Sequence, residues 1–288
     1  MTAPATVSGE PPSIQPLAER PGRQRDGEGV KPENRKSGDL PSGARSADLN
    51  PIAAVGEDST EELMHIEPGL VDSAKMVLSY ATAAASAGYL GKLTLESIRE
   101  QGPLSLVQRA IISTVAVFSF FEIFPHYPIG PSEVHFILGS TLFLLFGAAP
   151  AGIGLALGLL LQGIFFAQED LPQYGMNITT LLVPLFGLQA IARRIIAPGT
   201  AYVDLSYRQA LALSTAFQAG VVGWVAFWVI YGSGFSATTL ASLATFGGAY
   251  MLVVLGEPLV DLAVLALAKS LRGWRNSGLF TPRLHRAA

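Results

Sequence analysis

Met64 and His65 are the pair with the most chemistry to offer in this chain. At a mature N-terminus, the free α-amine, the His65 backbone nitrogen and the His65 ring nitrogen close fused rings around one metal ion. A second imidazole then completes a square of nitrogens. His135, in Ser132-Glu133-Val134-His135-Phe136, is the candidate for that last ligand. Such a tetragonal nitrogen site suits Ni(II), Cu(II) or Co(II), which displace an amide proton far better than Mg(II) or Ca(II) do. The amine is the anchor. With Met64 inside a longer chain, as in the sequence read from Met1, most of this chemistry disappears.

Most of the other polar residues admit more than one role. His135 is either a histidine snorkelling at the membrane surface or a ligand, since an ionisable group entering a span marks function by default. Glu133, two residues earlier, could orient its ring. Asn177 is a helix cap, a partner of a metal ligand, or the residue that fixes the 168–176 loop as a lid. Gln162 either links helices through a hydrogen bond or backs a ligand. His126, between Pro125 and Pro128, reads as structural, and His285 falls in a tail expected to fray. Glu122, Glu257 and Asp261 lie within spans. They could mark an ion path, or Glu257 could accept backbone donors freed beside Pro258.

The elements that must position these residues are membrane spans. Half the chain is apolar, mean hydropathy is +0.40 and only 14% of residues are charged. A soluble domain carries about a quarter. Residues 1–63 hold 7 of the 19 Lys/Arg and 11 of the 22 Asp/Glu, and long apolar runs follow Met64. Segment 1–63 is rich in Pro, Gly, Ser and charge, so it is expected to be disordered. It has no apolar core of a secretory signal. The alternative is that translation starts further down or that the segment is removed. The expected organisation is a polar tail over 1–63, a transmembrane body over 64–270 and a basic tail over 271–288.

Seven spans are predicted, at about 70–91, 108–125, 133–147, 149–168, 176–192, 209–231 and 239–268. The third and fourth could form a bent hairpin around Gly147-Ala148-Ala149-Pro150, and Glu257-Pro258 should kink or split the last. Of the 12 basic residues after Met64, 11 fall on one side when Met64 is outside, and Lys75 alone does not. The positive-inside rule therefore places Met64 at the outer or periplasmic face of the cell membrane and the C-terminus in the cytoplasm. The outer side then collects nearly all the metal-type ligands of the body.

Several classes are excluded. With no cysteine there is no disulfide, thiolate metal site or iron–sulfur cluster. There is no Gly-x-x-x-x-Gly-Lys-Ser/Thr loop for ATP, no His-Glu-x-x-His and no Gly-x-Ser-x-Gly. An enzyme has no constellation to stand on here. No basic patch interleaved with aromatics suggests nucleic acid. No permanently bound cofactor is expected. The run from Ala81 to Gly88 is a face of small residues that permits close helix approach, to another membrane subunit or to this chain's own helices.

Met64-His65-Ile66-Glu67-Pro68-Gly69 resembles the opening Met-His-Ile-x-x-Gly of the CbiM/NikM family, the cobalt and nickel substrate-binding (S) components of energy-coupling factor transporters. His135-Phe136, Leu159 to Phe166 with Gln162 at its centre, and Gly175-Met176-Asn177 are similar to later motifs of that family in the same order. The resemblance covers about residues 64–270. It implies an all-α polytopic S-component of about seven helices in an ATP-driven importer. Its cargo would be Co(II) or next Ni(II), feeding cobalamin synthesis. Carried over, the ligands are Met64, His65 and His135, with Asn177 as a loop partner. The partners it implies are separate ATP-binding subunits and a transmembrane coupling subunit, with a small accessory membrane subunit as a further candidate. Two departures stand out: 63 residues precede the Met-His pair, and Gln168 to Tyr174 replaces a Gly-rich loop. The alternative functions are a membrane scaffold that binds no metal, and a channel or secondary transporter using Glu122, Glu257 and Asp261.

Overall fold

The computed structural model describes residues 73–124, 127–271, 273 and 277–286. Met64, His65, His126 and the segment 1–63 lie outside the described residues. In chain order the elements are α1 (Ser73–Gln101), α2 (Pro103–Glu122), a hairpin of β1 (Tyr127–Ile129) and β2 (Ser132–Val134), α3 (Gly139–Phe146), α4 (Ala148–Phe165), a 3-10 turn over Gln168–Gln173, α5 (Tyr174–Ile195), α6 (Tyr207–Ser233) and α7 (Ala237–Ser270).

The protein is an all-α polytopic membrane protein with one small hairpin. Five elements are long and apolar enough to cross a bilayer: α2, α4, α5 with the turn before it, α6 and α7. At 29 residues, α1 is about 43 Å long and has the length to cross as well. Its burial pattern is inverted relative to a water-soluble protein. Leu104, Val107, Ile111 and Val115 on α2 and Leu252, Leu255 and Leu259 on α7 are exposed, while Arg109, Gln162, Gln218, Glu257 and Asp261 are buried. That is the arrangement expected of helices whose surroundings are lipid.

The expected third span differs most. Of residues 133–147 only Gly139–Phe146 is helical, too short to cross alone. The hairpin, Tyr127 paired with Val134 and Ile129 with Ser132, occupies the start. Its turn is Gly130-Pro131, and Glu133 and Val134 of the expected span belong to the hairpin instead of a helix. Residues 135–138 belong to no helix, and extended chain such as β2 advances about 3.3 Å per residue against 1.5 Å in a helix. A short mixed segment thus travels as far as a longer helix. Gly147, at φ 87°, then turns directly into α4, as the bent-hairpin alternative anticipated. The first helix runs on to Gln101, and α7 continues unbroken through Pro258.

Helix pairs close on small residues. A Cβ added at Gly154 or Gly158 of α4 would fall 2.1 Å from Ser113 Oγ and 2.6 Å from Val117 Cγ1 of α2. Gly175 of α5 sits as tightly on Ser79 of α1, and Gly220 of α6 on Pro184 of α5. The run Ala81 to Gly88 instead leaves Ala81, Ala84, Ala85, Ala87 and Gly88 exposed, with Ser86 turned inward.

The predicted basic side assembles at one end. Arg109 donates from Nη1 to the Phe146 carbonyl at 2.7 Å, from Nη2 to Ser97 Oγ at 3.2 Å and from Nε to the Ser105 carbonyl at 3.2 Å. One guanidinium thereby joins α1, α2 and the α3–α4 joint. Lys269 pairs with Asp204 at 2.6 Å. The tail does not fray over 277–286. Thr281 N–H donates to the Leu145 carbonyl at 2.8 Å, Phe280 stacks on Phe146 and Leu284 is fully buried. The sequence expectation failed because Phe280 and Leu284 were too few to signal a docking segment. Replacing Arg109 by Met leaves the Phe146 carbonyl and Ser97 hydroxyl buried without this donor. The Arg109→Met protein is expected to lose about 2 kcal/mol of stability, seen as a lowered thermal unfolding midpoint in detergent.

Candidate metal centre

His135 follows β2 directly, at the end of the bundle opposite Arg109. The pleat of a strand turns alternate residues to one face. Glu133, His135 and Ile137 are all buried, whereas Ser132, Val134 and Phe136 are only half-buried. The strand therefore delivers a carboxylate and an imidazole to the interior together. His135 Nε2 lies 3.1 Å from Glu133 Oε2, with both side chains buried. The Phe121 ring sits 5.2 Å from the imidazole, centroid to centroid.

These residues open onto a cavity of about 30 Å³ lined also by Asn177 and Thr180 of α5, Val221 and Val225 of α6, and Phe246 and Tyr250 of α7. A water needs roughly 10–15 Å³ of such space. The cavity has room for an ion or a water. Asn177 borders a second space of about 10 Å³ with Asp170, Leu171 and Tyr174. The turn over Gln168–Gln173 closes over it, with Asp170 and Gln173 buried. Tyr80 of α1 donates to the Pro172 carbonyl at 3.2 Å and Tyr174 to the Ala156 carbonyl at 2.7 Å, so the turn and the start of α5 are held from two sides.

Of the residues singled out in sequence, His135, Glu133 and Asn177 thus converge on one cavity. Gln162 is fully buried on α4 but lines neither space. Met64 and His65 lie outside the described residues. Among the described residues no group of three His, Asp or Glu could hold a metal ion by itself. What the described part contributes is one imidazole with an acidic partner. The Glu133 carboxylate beside Nε2 favours the tautomer protonated there, which leaves the Nδ1 lone pair for a metal. Glu133→Gln removes the negative acceptor that favours this arrangement. We expect it to lower Co(II) affinity by about 10- to 100-fold, measured by calorimetric titration.

Sequence reasoning missed Phe121, Thr180 and Tyr250 as cavity walls. Phe246, Tyr250 and Val254 recur at helical spacing on α7, which is legible as a buried face but not as the wall of a site. Sequence left two roles open for Glu257 and gave Asp261 no partner. Glu257 Oε1 accepts the Leu138 N–H at 3.0 Å and Oε2 accepts the Ser214 hydroxyl at 2.6 Å. Asp261 accepts Ser140 Oγ–H at 2.8 Å and is hydrogen-bonded to Thr141 Oγ1. Glu257 therefore satisfies the backbone donor of Leu138, just before α3, not a donor freed beside Pro258.

A larger cavity of about 490 Å³ lies at the opposite end, bordered by Arg109, Arg193, Arg283, Arg286, Glu96 and Glu100. Burial raises the Tyr202 phenol above its ordinary range there, partly opposed by Arg283. Its four guanidinium groups against two carboxylates repel a metal cation. The small cavity is the better metal site despite its size.

A bundle with an apolar exterior, buried polar side chains and five helices long enough to cross a bilayer defines a polytopic membrane protein. The chain belongs to the CbiM family, the cobalt uptake substrate-specific transmembrane region, whose family model matches residues 65–273. It is a substrate-specific, multi-pass membrane component of cobalt uptake, and its family is one of transport proteins, not enzymes. No curated protein and no solved structure matches it.

Proposed function

We propose that this chain captures a single Co(II) ion, with Ni(II) the next candidate, for an ATP-driven importer of the energy-coupling factor type that feeds cobalamin synthesis. The ligands are the Met64 amine, the backbone and ring nitrogens of His65, and the His135 ring. Asn177 and Glu133 hold that set from behind, and Gln162 backs it only at a distance. Met64 is the mature N-terminus on the outer or periplasmic face, and the C-terminus is cytoplasmic.

The observation that carries this is the buried 30 Å³ cavity where Glu133 and His135 meet Asn177. Its size fits a bare ion and its imidazole suits a first-row transition metal. The sequence has no phosphate-binding loop, which fits ATP hydrolysis by separate subunits acting through a transmembrane coupling subunit, with a small accessory membrane subunit as a further partner. The exposed small-residue face of α1 gives such a partner a surface for close helix approach. Glu257 and Asp261 are engaged with α3, which argues against an ion path through them.

Cobalt accumulation in cells tests this. Uptake is expected with the chain and its partner subunits present, and its loss when the partner ATPase is inactivated. Undiminished uptake by the chain alone would contradict the ATP-driven reading.

A further inference from the structure

We propose that Tyr250, Glu257 and Asp261 are positioning residues: together they latch the His135 segment to α7 and hold the imidazole at the metal cavity. This rests on His135 being a metal ligand, as proposed above. Residues seven and four apart share one face of a helix, so these three form a single seam along α7. Each end of the segment from His135 to Thr141 meets that seam. The Tyr250 hydroxyl lies beside the His135 backbone, and both residues line the cavity. The Phe136 ring lies against Gly256. The Leu138 N–H donates to Glu257, and the hydroxyls of Ser140 and Thr141 meet Asp261.

The latch falls where the backbone needs one. Leu138 has φ 52° and ψ 37°, the left-handed region, and is the one non-glycine at positive φ among the described residues. Such a conformation persists only where surroundings over-determine it. Leu138 also precedes α3, where backbone N–H groups lack helical partners. Glu257 takes that donor, and both carboxylates lie at the positive end of the α3 dipole. Ser214 of α6 fixes Glu257 from its other oxygen. At Gly139 an added Cβ would fall 2.3 Å from the Phe217 ring of α6, so the start of α3 is pressed on that side too. Only Phe136 and Ile137 separate this anchored joint from His135. A shift at Leu138 therefore reaches the imidazole with little to absorb it.

The test uses the full chain in lipid nanodiscs, titrated with Co(II) and followed by heat and by the visible absorption of the bound ion. Glu257→Ala is expected to weaken binding by about 10-fold or more and to shift the absorption bands. Glu257→Gln should restore both, because its amide oxygen still accepts the Leu138 N–H. A purely structural role would alter thermal stability and leave the bands of the bound ion in place. Wild-type affinity and bands in a monodisperse Glu257→Ala protein, alongside lost binding in His135→Ala, would overturn the latch and spare the site. Unchanged binding in His135→Ala would overturn the site and the latch with it. Should Glu257→Ala not fold, Tyr250→Phe removes only a hydroxyl. It is expected to cost about 5-fold in affinity with a band shift, and wild-type behaviour there overturns the latch.

Discussion

His135→Ala lowers the Co(II) affinity of the purified protein by on the order of 100-fold or more while the bundle still folds. The imidazole is the one histidine ring at the cavity among the described residues, and removing a ligand costs at least what removing its supporting partner does. Folding survives because His135 lies at one end of the bundle, outside the helix contacts that close it. The small cavity that results stays lined by Phe121, Ile137, Val225 and Phe246. Calorimetric titration measures the loss, and an unchanged thermal midpoint without metal separates it from misfolding. Full affinity in this variant would place the ion elsewhere.

Gly154→Leu separates α2 from α4 and costs about 3 kcal/mol or more. Overpacking a well-packed site commonly costs 1–3 kcal/mol through side-chain and backbone shifts. Here the obstacle includes backbone: the added Cβ would meet the Ser113 carbonyl carbon at 2.8 Å as well as its side chain. Gly158 repeats the constraint one turn on, against Val117 and the Phe118 nitrogen. Neither helix can yield at one contact without losing the other. Lipid offers little hydrophobic drive to hold helices together, so such close packing matters more than in water. The thermal midpoint in detergent should fall sharply, with lowered yield from the membrane. Gly187→Leu is the control, since nothing lies within 4 Å of a Cβ there, and it should behave as wild type.

Much of the architecture was legible because membrane spans are written in composition. Runs of Leu, Val, Ala and Phe over α2, α4, α5, α6 and α7 announce themselves by length alone. The clustering of Arg109, Arg193, Arg283 and Arg286 at one end follows from the same positive-inside pattern. The third span was misread because Val134 and Phe136 are as apolar as helix residues. The strand period of two is interrupted by Gly130-Pro131 after only three strand residues on either side.

The site was half legible. His135, Glu133 and Asn177 were chosen by chemistry, and the fold brings them to one cavity. The strand's alternation explains why Glu133 and His135 arrive together. Gln162 was chosen by the same reasoning, yet it lies on α4 away from both small spaces. Glu257 and Asp261 admitted an ion path in sequence because an ionisable residue within a span marks function by default. Their donors, Leu138, Ser140, Thr141 and Ser214, come from two other elements, and nothing local in sequence links residue 257 to residue 138. Long-range pairing of that kind needs the folded chain.

The most direct measurement is N-terminal sequencing of the Co(II)-loaded protein purified from membranes, alongside its affinity. A chain that begins at Met64 with a free amine, and that loses Co(II) when the amine is acetylated, is the predicted result. A chain that begins at Met1 and binds Co(II) just as tightly would contradict capture by an amine and two imidazoles.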